Sequence, residues 1–211
     1  RIRFDFDRVQ VESLQGQYSQ GQVAAEGVIP ISRPIPDLAN PLTVTLNQLA
    51  LNLRGLYQGQ ANGSVVIRGT ALNPETPPEL GGQVELTNGR VFLSAAGSAP
   101  TAGATAGETG GRGTSAAVPE FNDLRLTLGQ GVAISQPPIL NFQATGDLTL
   151  NGSLNNIAPQ GVIRLRRGEV NLFAARFTLA RGDENTAEFL PDRGLDPLLN
   201  VRLVSNVSEV T

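Results

Sequence analysis

The sequence predicts an all-β fold, an elongated antiparallel-type sheet, and three observations support this prediction. Apolar and polar residues alternate in short runs, as in Leu124, Leu126 and Leu128 with Arg125 and Thr127 between them. The 14 prolines and 24 glycines are spread along all 211 residues, which interrupts helices and favours strands joined by turns. A glycine-containing unit also recurs along the chain. Because strand side chains alternate between two faces, each run predicts one apolar and one polar face.

Alternation of the same kind predicts strands around Val84–Leu86, Leu148–Leu150 and Ile163–Leu165. The segment 42–53 is ambiguous, since its leucines fit both helical and strand spacing. Its β-branched run, Thr43 to Thr45, favours strands, and Asn47–Gln48 is a candidate position for a bulge or turn. We therefore predict β structure there too.

An internal repeat supports the sheet. Residues 82–93, GQVELTNGRVFL, align with residues 161–172, GVIRLRRGEVNL. Upstream of each copy is a second matching unit, at 63–69 and 146–152, and a looser copy opens the chain at 21–27. We predict that the glycines bracket short strands, where tight turns need positive φ. Such units cannot bury their apolar face alone, which predicts a stacked, elongated sheet.

The chain divides into three segments. Residues 1–94 are predicted as a β-repeat segment, and residues 119–211 as a second one that continues the same sheet. Between them, residues 95–118 are rich in Ala, Gly, Thr and Ser and are predicted to be a flexible loop. The chain begins with Arg1 rather than Met and ends in a strand-like run, 198–210, so we expect a segment of a longer protein.

The composition excludes most enzyme and cofactor chemistry. The chain contains no His, Cys or Lys, and its 16 basic residues are all Arg. Without His or Cys there is no imidazole base and no usual ligand set for zinc, haem or iron–sulfur clusters. We predict a non-enzymatic protein with no cofactor, no metal site and no catalytic residues. A net charge of −3 with dispersed arginines and few aromatic rings also argues against nucleic acid as a partner.

Two charged groups are weaker candidates for sites. Arg164, Arg166 and Arg167 could contact an anion or a lipid headgroup, but the shared parity of Arg164 and Arg166 favours the solvated face of a strand. The acidic residues between Asp183 and Asp196 do not have the spacing of a calcium loop, and we interpret them as turn residues. The sequons at Asn62, Asn151 and Asn206 have the form of glycosylation sites; for Asn62 and Asn151, turn chemistry beside a glycine is a sufficient explanation.

The stretch from Phe121 to Val204 resembles the C-terminal region of the TamB family, within the broader AsmA-like group. Residues 1–94 resemble it more loosely. The matching segments follow the order of the family: FNDLRLTL at 121–128, GDLTLNG at 146–152, GVIRLRRGEV at 161–170, FTLARG at 177–182, Phe189, and DPLLNV at 196–201.

This resemblance implies a sheet curled into a long trough, a β-taco, whose concave groove is apolar. It also implies a protein that is anchored in the inner membrane and spans the periplasm, or a relative in the chloroplast intermembrane space. The implied partners are phospholipid acyl chains and, for the full-length protein, an outer-membrane barrel assembly factor of the TamA type. The implied function is phospholipid conduction between two membranes and support of outer-membrane protein assembly. The residues that we expect to line the groove are Val65, Ile67, Val84, Leu86, Leu124, Leu126, Leu148, Leu150, Ile163, Leu165, Val170, Leu172, Phe177, Leu179, Val201 and Leu203.

Two other functions remain possible from the sequence. One is a purely structural or adhesive β-repeat module of a surface protein, in which the apolar stripes form a closed core. The other is a carbohydrate-active β enzyme with paired carboxylates, which would need facing acidic residues and sugar-stacking aromatic side chains. The absence of Trp and the scarcity of Tyr, of which the chain has two, argue against the enzyme.

Overall fold

The computed structural model describes residues 1–18, 21–35, 37–53, 55–73, 75–93, 118–153, 156–172 and 175–205. These residues form one large sheet of 14 strands, and their helical content is one 3-10 turn, Pro191–Arg193. The prediction of an all-β, mostly antiparallel sheet is confirmed. The strands are β1 (Ile2–Phe4), β2 (Arg8–Tyr18), β3 (Gly21–Pro30), β4 (Leu42–Leu53), β5 (Tyr57–Arg68), β6 (Glu79–Phe92), β7 (Glu120–Leu128), β8 (Ala133–Gln136), β9 (Leu140–Ser153), β10 (Asn156–Leu172), β11 (Ala175–Leu179), β12 (Asn185–Phe189), β13 (Leu198–Asn200) and β14 (Leu203–Ser205).

The strands follow the chain order across most of the sheet. Neighbours are hydrogen-bonded in the order β1-β2-β3-β4-β5-β6-β7-β9-β10-β11-β14. Strand β8 pairs with β6 and β9, and β12 pairs with β10 and β13. Consecutive antiparallel strands of this kind extend a sheet in one direction, as the repeat predicts.

Two parallel pairings, of β6 with β7 and of β6 with β8, depart from the predicted pattern. Glu79, the first residue of β6, pairs with Glu120, the first residue of β7. The chain therefore leaves β6 at Phe92 and re-enters the sheet at the opposite end of that strand. The predicted loop at 95–118 lies in this connection and, apart from residue 118, outside the described residues.

The glycines of the repeat do not bracket short strands, and this prediction was wrong. Gly82 and Gly89 both lie inside β6, and Gly161 and Gly168 inside β10. The predicted positive φ is present at Gly82, Gly161 and Gly168. These positions are bends within long strands rather than turns between short ones.

Close contact between neighbouring backbones explains two of these bends. A Cβ on Gly161 would meet the Asp147 carbonyl oxygen of β9, and a Cβ on Gly146 would meet the Val162 carbonyl oxygen of β10. The same reciprocal arrangement joins Gly63 of β5 and Gly82 of β6, in the other copy of the repeat. The repeat therefore encodes two hairpins, β5–β6 and β9–β10, each with a pair of facing glycine bends.

The ambiguous segment 42–53 is a single strand with a bulge where one was predicted. The register between β4 and β5 shifts between Leu46 and Leu49, and Gln48 has a φ of 48°. The Gln48 backbone N–H donates to Oδ1 of Asn62 at 2.8 Å. A second bulge repeats this device in β7, where the Asp123 N–H donates to Oδ1 of Asn151 at 2.9 Å. Each sequon asparagine of this pair thus stabilises a bulge in the preceding strand of the sheet, while Asn206 lies outside the described residues.

We predict that Asn151→Ala lowers the free energy of unfolding by about 1 kcal/mol, because the Asp123 N–H loses its side-chain acceptor. Urea denaturation followed by circular dichroism measures this change. Asn52→Ala is the matched control, since Asn52 is exposed on β4 and makes no side-chain hydrogen bond among the described residues. Equal losses for the two variants would show that the bulge needs no acceptor.

The described part of the C-terminal run, 198–205, contains two short strands, rather than the single strand-like run that the sequence predicts. Strand β13 pairs with β12, whereas β14 pairs with β11. The intervening backbone is held by Asn185, whose Oδ1 accepts from the Arg202 N–H at 2.8 Å, and by the Ala180 N–H, which donates to the Arg202 carbonyl. These bonds explain why the chain changes partner strands near Val201.

Candidate functional site

One face of the sheet is apolar along rows that run across the strands. Directly paired residues share a face, so the register defines each row. The Leu148 row takes one residue from each of eight strands: Val23, Leu46, Gly63, Val84, Leu126, Leu148, Gly161 and Phe189. The Leu150 row beside it consists of Ala25, Val44, Val65, Gly82, Leu124, Leu150 and Pro159.

The opposite face is polar over the same strands. The row between the Leu148 and Leu150 positions consists of Thr45, Ser64, Gln83, Arg125, Thr149 and Gln160. Side chains on this face bond to one another, as between the Thr127 hydroxyl and Oδ1 of Asp147 at 2.7 Å. The sheet therefore has two chemically distinct faces.

The apolar face is packed along one row and partly accessible along another. A third row, the Ile163 row, consists of Leu49, Ala61, Leu86, Leu128, Gly146, Ile163, Ala187 and Leu199. Its central side chains are sealed, since Ala61 is 0% and Ile163 is 1% exposed. The side chains of Val84, Leu126 and Leu148 in the Leu148 row are half-buried. Apolar surface is therefore available along the Leu148 row.

Tyr57 belongs to the buried cluster of the apolar face. Its hydroxyl lies 2.8 Å from the Gln60 carbonyl oxygen and 3.1 Å from that of Thr87, so it can donate to either. Burial raises the pKa of the Tyr57 hydroxyl above its ordinary value. A neutral, hydrogen-bonded phenol is a structural group here, held in a notch that Gly59 and Gly89 leave open.

Fifteen of the expected groove residues lie in strands on the apolar face, and Val201 lies between β13 and β14, packed against the same cluster. They differ in exposure. Leu172 and Leu203 are exposed. The buried members are Leu86, Leu124, Ile163, Leu165 and Leu179. The remaining members are half-buried: Val65, Ile67, Val84, Leu126, Leu148, Leu150, Val170, Phe177 and Val201.

The expected list omits residues that the register adds to the same rows. Val23 and Leu46 extend the Leu148 row, and Val44 extends the Leu150 row. Alternation in 42–46 is the sequence signal that identifies Leu46 and Val44. No comparable signal identifies Val23, whose run is interrupted by alanines.

The charged candidates are on the surface. Arg164 and Arg166 are exposed, as their shared parity predicts, and Arg167 is exposed as well. Asp183 pairs with Arg202 at 3.6 Å, and Asp196 pairs with Arg193 at 3.1 Å. Across the described ranges, no group of three acidic side chains converges as a candidate metal site. Nor do these ranges contain a helix with the length and apolarity to cross a membrane.

Fold and site together define a class, a β-sheet protein with a one-sided apolar surface. The family model described as "TamB C-terminal domain" matches residues 12–211. The chain therefore belongs to the TamB family, as its motifs indicated. This is a non-enzymatic assembly and transport family, whose bacterial members are periplasmic and partner TamA.

Two chloroplast proteins are similar to the chain. The protein SUBSTANDARD STARCH GRAIN 4, chloroplastic, of Oryza sativa subsp. japonica is 26% identical to the chain. The alignment is 244 residues long and covers 95% of this chain and 11% of the relative. The protein TIC236, chloroplastic, of Arabidopsis thaliana is 42% identical over 88 residues, which cover 41% of this chain and 4% of the relative. The chain thus spans about a tenth or less of these relatives. No solved structure matches it.

Proposed function

We propose that this chain is a segment of a TamB protein whose apolar sheet face conducts phospholipid between two membranes of an envelope. The observation that supports this proposal most directly is the Leu148 row, which spans eight strands, has apolar side chains at every position except Gly63 and Gly161, and is partly accessible. With neighbouring strands about 4.8 Å apart, such a row extends roughly 34 Å. This exceeds the roughly 15 Å depth of one leaflet's hydrocarbon region, so the row can contact a whole acyl chain.

In this proposal the sheet curls into a β-taco, with the apolar face on its concave side. Burial supports the curl. Ile163 and Ala144 are each 1% exposed, yet all strands among the described residues belong to one sheet, so no second layer covers them there. A sheet that bends over its own face buries such residues and leaves a groove along the Leu148 row. Acyl chains would lie in the groove while headgroups stay hydrated.

Weak, repeated contacts suit conduction better than a single tight site. Each CH₂ removed from water contributes about 0.8 kcal/mol, so a long acyl chain gains on the order of 10 kcal/mol as an upper limit. Partial solvation in an open groove lowers this gain and allows the chain to slide. Continuity of the row therefore matters more than any one of its residues.

The partners and location follow from the family and the relatives. We propose that the full-length protein works with an outer-membrane barrel of the TamA type and supports outer-membrane protein assembly. Its compartment would be the bacterial periplasm, with an inner-membrane anchor, or the chloroplast intermembrane space. The sealed Ile163 row favours one alternative, a purely structural sheet segment whose apolar face serves folding alone.

Native mass spectrometry of the purified chain tests the proposal. We expect phospholipid to remain bound after gentle detergent-free purification, because the half-buried Leu148 row offers apolar surface. Leu126→Asp should release this lipid, and Arg125→Asp, on the opposite face of the same strand, should retain it. A chain that carries no lipid in any form favours the structural alternative.

A further inference from the structure

Strand β10 has a split edge that opens a cavity. One edge of β10 pairs with β12 over 161–165 and with β11 over 169–172, so residues 166–168 have no partner on that edge among the described strands. The chain between β11 and β12 turns away at 180–184 and forms the rim. The resulting cavity has a volume of about 750 Å³, within the range of small-molecule sites.

Four arginines line this cavity. Arg164, Arg166 and Arg167 come from β10, and Arg181 comes from the facing turn. A β-bulge between Leu165 and Arg167 makes Arg166 the extra residue, so that Arg166 and Arg167 both reach the cavity. Nε of Arg166 lies 3.4 Å from the Thr145 hydroxyl, on the polar face.

The arginines carry a surplus of positive charge. In the part of the chain that the structure describes, none of the four forms an ion pair. Two acidic residues, Asp183 and Glu184, also line the cavity, but Asp183 pairs with Arg202 outside the arginine set. Four guanidinium groups around one opening, with one acidic group that has no ion pair, favour an anionic ligand.

Two large apolar side chains also line the cavity. Leu165 and Leu179, each 8% exposed, belong to the apolar face and contribute to the lining. The cavity therefore connects the arginines to the edge of the lipid-facing rows. Gly182, which also lines the cavity, has open space around it, with no atom of a non-neighbouring residue within 4 Å of a Cβ built there.

We propose that this cavity binds a phosphate-bearing anion, with the guanidinium groups of Arg166, Arg167 and Arg181 as its hydrogen-bond donors. Guanidinium forks match phosphate oxygens in charge and geometry. The ligand is the headgroup of an anionic phospholipid, since Leu165 and Leu179 of the apolar face line the same cavity as the arginines. This assignment of the phosphate to a lipid rests on the proposed function, whereas the anion site itself rests on the arginines and the cavity.

Calorimetric titration with monomeric ligands tests the site. The probes are short-chain phosphatidic acid, glycerol phosphate, inorganic phosphate and the matching short-chain diacylglycerol. Arg167→Gln combined with Arg181→Gln should weaken phosphatidic acid binding by roughly tenfold or more, since charge-assisted hydrogen bonds are lost. Arg90→Gln combined with Arg125→Gln is the control. It removes the same charge from exposed positions on β6 and β7, which do not line the cavity.

The ligands separate the two possible sources of phosphate. Phosphatidic acid that binds more tightly than glycerol phosphate, with diacylglycerol weakest, supports a lipid headgroup. Equal binding of glycerol phosphate and phosphatidic acid, lost together in the cavity variant, overturns the lipid assignment in favour of free phosphate. Equal effects of the cavity and control variants overturn the site altogether. Native mass spectrometry of the same variants distinguishes a failure of the anion site from a failure of the proposed function. If only the anion site is wrong, phospholipid still co-purifies with the chain.

Discussion

Leu148→Asp should weaken phospholipid binding by more than tenfold. Leu148 is half-buried in the middle of the Leu148 row, paired with Leu126 on one side and Gly161 on the other. The substitution removes contacts with two or three methylene groups, about 2 kcal/mol, and a carboxylate in the groove adds a desolvation cost. Together these exceed the 1.4 kcal/mol that corresponds to a tenfold change. Fluorescence titration with a fluorescent phospholipid measures the effect.

Thr149→Asp is the matched control for this prediction. It adds the same charge to the adjacent position, but on the polar face, opposite Arg125. We expect binding within about twofold of the original chain, because a carboxylate on the polar face, next to an arginine, changes little. Leu148→Ser separates charge from lost contact and should give a smaller loss. Thermal unfolding of all three variants checks that the fold is intact, and equal binding by the two aspartate variants would contradict a one-sided lipid surface.

Gly161→Ala should lower the free energy of unfolding by about 3 kcal/mol or more. Gly161 has a φ of 145°, which L residues rarely adopt, and such strain costs about 1 to 3 kcal/mol. The added Cβ would also meet the backbone carbonyl of Asp147 in β9, which cannot move without disturbing the β9–β10 pairing. The two costs act together at one position. Urea denaturation gives the difference in free energy.

Gly182→Ala is the control that separates these costs. Gly182 also has a positive φ, 88°, but nothing lies within 4 Å of a Cβ placed there. We expect a loss of about 1 to 2 kcal/mol, from backbone conformation alone. Losses of the same size at Gly161 and Gly182 would contradict the importance of close backbone approach in the hairpin.

Local patterns were sufficient to predict the sheet and its two faces. Alternation around Leu148 and Ile163 specifies which side chains share a face, because the period of a strand is two residues. The bulge at Asn47–Gln48 was also predictable, since two short alternating runs with different parity meet there. Register then places these residues in rows, and the rows require only that consecutive strands pair.

Features set by distant residues were not predictable from the sequence. Glycine patterns predict positive φ, but whether Gly161 ends a strand or bends one depends on the facing backbone of β9. The parallel pairing of β6 with β7 depends on the direction in which the chain returns after Phe92, which no local pattern encodes. The split edge of β10 similarly depends on the pairing of β11 and β12 with different parts of that strand.

The sequence predicted which residues share the apolar face but not how deeply each of them is buried. Alternation places Leu148 and Ile163 on the same face and treats them alike, yet Ile163 is 1% exposed and Leu148 is half-buried. Burial depends on which other strands pack around a side chain, which is a property of many strands together. The sequence named the three β10 arginines as a weaker candidate for an anion contact, but the cavity was not predictable, since Arg181 joins them through tertiary structure.

Site-specific photo-crosslinking to phospholipid tests the central claim most directly. A photoreactive amino acid is placed in turn at positions 148, 149 and 163, in the full-length protein within cells that contain both membranes. Lipid adducts should form at position 148, in the partly accessible row of the apolar face, and be absent at position 149 on the polar face and at position 163 in the buried row. Adducts of equal yield at 148 and 149, or none at 148, would contradict conduction of lipid along this face.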